Sequence, residues 1–144
     1  MSSDLYKTDY DGWLEAQIDA LEQGQFGALD IPHLIEELEI VNKLVKREMS
    51  SHLVTLLTHF LKWQYEPKAR SGSWKGVILM SRYSLEEIIE DQSSLNNYWN
   101  EAIVEAYIRA REWAEAETEI NIKLFPDECP YSVEQIRDQG WLPE

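Results

Sequence analysis

Apolar positions along the chain recur at helical rather than strand spacing. Near the start, Trp13, Leu14, Ile18 and Leu21 fall on one face at helical intervals. Asp9 stands where an N-cap belongs, and Gly24 where a left-handed residue would close the helix. After the loop QFGALD, Asp30 offers a second N-cap, and Pro32 falls in a first turn, where its missing N–H does no harm. From Ile31 to about Glu66 no breaker interrupts the pattern. Ile31, Ile35, Leu38, Val45, Met49, Leu53, Leu56 and Phe60 form one broad apolar stripe, widened by Leu57 and Leu61. At 1.5 Å per residue such a helix is roughly 54 Å long, so it has to pack against more than one partner.

Pro67 ends that helix, and the segment EPKARSGSW reads as a turn in which Ser73 caps the next helix. This third helix carries Trp74, Val77, Ile78, Ser81, Leu85 and Ile88. Beyond a short DQSS break, a fourth has the stripe Leu95, Trp99, Ala102, Ile103, Ala106, Tyr107 and Ala110, whose alanines permit close approach of neighbouring helices. The tail holds two prolines and then Ser132 with Gln135, a capping-box pattern for a short last helix. No run alternates with period two, and no repeat of 20–50 residues is visible. The pattern predicts an all-α fold: an antiparallel helical bundle of about four main helices, with one long central helix and a short C-terminal helix.

Composition narrows this further. A length of 144 residues predicts a single domain, 1–144, large enough to bury a core without disulfides or metals. Cys129 is the one cysteine, so neither an intrachain disulfide nor a thiolate zinc cluster is available. The start of the chain has no basic segment followed by an apolar run, and the apolar stretch His52 to Trp63 is far shorter than the ~20 residues of a membrane span. These features predict a soluble cytoplasmic protein. Net charge is −14, which argues against general phosphate binding, yet Lys62, Lys68, Arg70, Lys75 and Arg82 stand against Glu66 alone in residues 62–82. That stretch carries +4 and the rest −18.

Several segments carry a family resemblance: LYKTDYDGWL near the start, LIEELE at 34–39, HFLKWQYEPKARSGSW at 59–74, SLNNYW at 94–99 and FPDECPYSVEQIRDQGWLP at 125–143. Together they resemble the bacterial family known as domain of unknown function number 29, abundant in cyanobacteria, over nearly the whole length. The resemblance implies a helical bundle and leaves activity open.

Candidate chemistry is sparse. Glu48, His52 and His59 lie close to one face of the long helix and would contribute to a metal site if another helix supplied ligands. The ordinary account is that both imidazoles hydrogen-bond at a helix seam, and no cofactor is expected. Lys62, Trp63, Tyr65, Lys68, Arg70, Trp74 and Lys75 interleave cations with rings, which suits an acidic protein partner or single-stranded nucleic acid. The bland account folds Trp63 and Trp74 back into the bundle. Glu36, Glu37 and Glu39, or Glu86, Glu87 and Glu90, read as solvated faces rather than paired acids and bases. Cys129 sits beside Glu128, which disfavours a reactive thiolate, and no nucleophile elbow, P-loop or dinucleotide fingerprint occurs. The sequence thus predicts a protein-binding module that meets a protein partner at residues 62–82, without a membrane and with self-association open. The main alternative is a metal-dependent or small-molecule enzyme with its site near His52 and His59. A nucleic-acid accessory factor is the weaker third reading.

Overall fold

The computed structural model describes residues 2–144. Six α-helices run in the order α1 (Ser2–Thr8), α2 (Tyr10–Glu22), α3 (Ile31–Tyr65), α4 (Gly72–Asp91), α5 (Trp99–Thr118) and α6 (Val133–Arg137). Asp9 alone separates α1 from α2, short 3₁₀ turns lie between the later helices, and no strand occurs among the described residues. The bundle predicted from periodicity is present, and the long helix ends one residue before Glu66. No helix among the described residues is long and apolar enough to cross a membrane. Contacts cluster into two compact units, Met1–Val45 and Lys46–Glu144.

The first unit is held by a polar and aromatic clasp. Asp9 caps α2 by accepting from the backbone of Gly12, and Gly24 takes the left-handed conformation (φ 69°) after α2, as the pattern predicts. Trp13 is fully buried and donates from Nε1 to Asp30 Oδ2 at 2.9 Å, while His33 Nδ1 meets the same oxygen at 2.7 Å. Gln17 accepts from the Asp30 backbone at 2.7 Å. Burial works to raise the Asp30 carboxyl, but the bonds from His33 and Trp13 outweigh it and hold it below the usual range. Tyr6, stacked on His33, and Tyr10 both donate to Glu37, at 2.6 and 2.5 Å.

The apolar stripe of α3 does not behave uniformly. Met49, Leu53, Leu56, Leu57, Phe60 and Leu61 are fully buried. Ile31, Ile35, Leu38, Ile40, Val41 and Leu44 are exposed, Leu38 by 67%. The physical reason lies in α2, whose buried residues are only Trp13, Gln17 and Ala20, so it offers α3 no broad apolar surface.

In the second unit α3, α4 and α5 form an up-down-up bundle. Lys62 lies over Trp74, and His52 borders the same groove as Ser84, so α4 runs antiparallel to α3. Lys46 lies over Tyr98 and Lys62 pairs with Glu117, so α5 returns alongside α3. Ile78, Leu85, Ile88 and Ile89 of α4 and the alanine seam Ala102, Ala106, Ala110 and Ala114 of α5 complete the core. Ser71 rather than Ser73 caps α4, accepting from the Trp74 backbone, so Gly72 is already helical. Leu95 is buried, but in the turn Ser93–Asn97 ahead of α5 rather than on its stripe. The capping box of Ser132 and Gln135 opens α6 as read from the sequence. Arg82, 2% exposed, donates to the carbonyls of Ile136 (2.8 Å) and Gln135 (2.9 Å), and Arg137 forks onto Glu86 at 2.8 and 3.0 Å. These bonds tie α6 to α4.

Candidate functional site

The basic, aromatic stretch forms a compact cluster. Arg70 lies 4.9 Å from the centre of the Trp63 ring and donates through Nε to the Trp63 carbonyl at 2.7 Å. Lys75 approaches the same ring at 5.6 Å. Lys62 lies 4.8 Å from the Trp74 ring and pairs with Glu117 at 2.9 Å. Tyr65 packs edge-on against Phe125. Trp63 is only 7% exposed, and Arg82 is buried altogether. Of the seven predicted contact residues, Lys62, Trp63, Arg70, Trp74 and Lys75 engage one another, while Tyr65 turns to Phe125 and Lys68 lies beside Tyr65. Lys68 and Lys75 remain exposed.

Glu48, His52 and His59 do not converge. Two residues seven apart on a helix share a face but stand about 10.5 Å apart along its axis, too far for one metal ion with ligands at ~2 Å. Glu48 is exposed, His52 borders a groove with Ser73, Gly76, Val77, Met80 and Ser84, and His59 opens into a different cleft. No group of three or more His, Cys, Asp or Glu suited to a metal ion occurs among the described residues. The acidic groups have ordinary employment: Glu37 accepts from the two tyrosines and Glu86 from Arg137. Burial raises the Cys129 thiol, opposed only by its bond to the Tyr131 backbone, so it is a poor nucleophile.

The cleft at His59 is the best-built polar site. It encloses about 270 Å³ between α3 and α5. Arg47, Ser50, Ser51, Thr55, Thr58 and His59 line one wall, and Arg109, Trp113 and Glu117 the other. His59 Nδ1 lies 2.8 Å from the Thr55 carbonyl. A carbonyl only accepts, so Nδ1 carries the proton and Nε2 of the neutral ring keeps its lone pair. Burial holds His59 below the ordinary histidine range, helped by Lys62; the Thr55 bond and Glu117 act the other way. The Thr58 hydroxyl donates to the Val54 carbonyl at 2.6 Å, and the Thr55 hydroxyl to that of Ser51 at 3.3 Å. Sequence reasoning singled out His59 but missed Arg47, Arg109 and Trp113. The signal was there: Arg47, Ser51, Thr55, Thr58 and Lys62 recur at helical spacing as a polar stripe on an otherwise apolar helix, and Arg109, Trp113 and Glu117 repeat every four residues.

With this fold and these sites in view, the chain belongs to the family described as Domain of unknown function DUF29, whose model matches residues 5–142. The match spans both compact units. No curated protein and no solved structure matches the chain.

Proposed function

We propose that the protein works by docking another protein on the apolar, acidic face of its first 45 residues. One observation carries this reading: the exposed stripe along the first half of α3. Of the seventeen exposed large hydrophobic side chains among the described residues, ten lie in these 45, including Ile31, Ile35, Leu38, Val41 and Leu44. Residues left apolar at helical spacing with nothing over them make a continuous patch, which a soluble surface rarely keeps without use. Charge defines the partner. The same 45 residues hold ten acidic and two basic side chains, a net −8. A basic amphipathic helix would meet the patch with its apolar face and the acidic rim with its cations. A second copy of this chain would bring another −8 to the contact. The basic corner around Trp63 is the lesser candidate, because most of its rings and cations already have partners. A cytoplasmic location is part of this reading; the single cysteine supports it.

A photo-crosslinking residue at Val41, introduced in the native host and read by mass spectrometry, tests the proposal. The expected product is a crosslink to one protein, at a segment where Lys or Arg and apolar residues alternate at helical spacing. Leu38→Asn with Leu44→Asn should abolish it. Capture of only a second copy of this chain, or of nothing, overturns the reading.

A further inference from the structure

The His59 cleft has a charge pattern that the fold itself does not use. The chain holds 27 acidic against 13 basic side chains, so an arginine has many carboxylates to choose from. Arg47 and Arg109 choose none: both are exposed, both line this cleft, and neither pairs with a carboxylate among the described residues. Two acids on the same helix as Arg109 are engaged elsewhere, and Glu112, one turn after it, forms no ion pair among the described residues. Glu105, one helical turn before Arg109, accepts the Tyr98 hydroxyl at 3.0 Å. Glu117 is answered by Lys62 at 2.9 Å. Two guanidinium groups thus line one cavity from different helices, neither in an ion pair among the described residues.

The remaining lining indicates what they hold. A carboxylate, with two oxygens, is satisfied by a single guanidinium fork, whereas a phosphate monoester presents three terminal oxygens to two forks. Ser50 and Ser51 add hydroxyl donors, and Nε2 of His59 adds an acceptor for a ligand N–H or O–H. Trp113, 58% exposed and one turn beyond Arg109, offers an indole face at the rim. An exposed ring beside cations is a stacking platform for a flat heterocycle. The cavity of about 270 Å³ lies just below the usual range of ligand pockets, roughly 300–1,000 Å³, and argues against a dinucleotide. We propose that this cleft binds a small organic phosphate bearing a flat ring, of the size of a nucleoside monophosphate. Its phosphate lies between Arg47 and Arg109, and its ring rests on Trp113.

Isothermal titration of the full-length protein tests this with four probes: a purine nucleoside 5′-monophosphate, the corresponding nucleoside, inorganic phosphate and succinate. The monophosphate should bind saturably, inorganic phosphate more weakly, and the nucleoside and succinate not measurably. Arg47→Gln with Arg109→Gln should weaken the monophosphate at least tenfold. Trp113→Leu should weaken the monophosphate but leave inorganic phosphate unchanged. Arg47, Arg109 and Trp113 are exposed, so the variants should keep the parent melting temperature, which checks that each is folded. The proposal fails if neither phosphate probe binds saturably, or if the double variant binds as the parent does. It also fails if succinate binds as tightly as the monophosphate.

Discussion

At the scale of single residues, two polar groups carry unusual responsibility. Arg82 is buried and supplies both hydrogen bonds to the last turn of α6, with its guanidinium 5.0 Å from the Phe60 ring. Arg82→Met would keep the packing stem but leave two carbonyls unpaired in the interior. The expected cost is about 2–4 kcal/mol, seen as a lower urea midpoint at unchanged slope. Glu37 is the second case. Hydrogen bonds from Tyr10 and Tyr6 hold its carboxyl below the usual glutamate range, and the bond to Glu37 pushes the Tyr6 hydroxyl from 10.0 up to about 12. A lowered acid contributes stability above its unfolded value and loses it as pH falls through the folded one; a raised phenol contributes below its unfolded value and loses it as pH rises through the folded one. The clasp should therefore hold across the neutral range and release at both extremes. Amide exchange in residues 4–14 should quicken below the usual carboxylate range in the parent, and Glu37→Gln should shrink that acid step, leaving the part that Asp30 carries. An acid step of unchanged size in Glu37→Gln would assign it to Asp30 alone.

At the scale of elements, caps and stripes were legible to different degrees. Asp9, Gly24 and the Ser132–Gln135 box were readable because each acts through its own backbone neighbourhood. The start of α4 was misplaced by two residues, since Ser71 and Ser73 flank Gly72 and both are good caps by type. Stability separates them. Ser71→Ala should cost about 1 kcal/mol, whereas Ser73→Ala, on the exposed first turn, should stay within ~0.5 kcal/mol. Equal effects of the two in thermal melts would place the cap elsewhere. The stripe of α3 shows a different limit. Periodicity marks which face of a helix is apolar but not whether another element covers it, and that depends on distant partners. For the same reason the Arg47–Arg109 pairing was invisible, although each half lay on a readable helical stripe.

At the scale of the whole molecule, burial is concentrated beyond residue 45. Leu53, Leu56, Leu57, Phe60 and Leu61 are all fully buried, while the exposed half of α3 has few such neighbours. Local opening free energies follow buried apolar contact, so exchange should be slowest at the amides of 53–61 and markedly faster at 34–44. Uniform protection along α3 would show that something covers the first half in solution. The family match over residues 5–142 spans both units, so the clasp and the bundle belong to one inherited pattern.

Trp13, fixed at zero exposure by Asp30, is the sole indole in the first unit; the other five are at 63, 74, 99, 113 and 141. The protein thereby carries its own optical label. A variant in which those five are phenylalanine would emit only from the clasp, at the short wavelengths of a dry indole. A red shift on titration would then time the release of the first unit separately from the melting of the bundle.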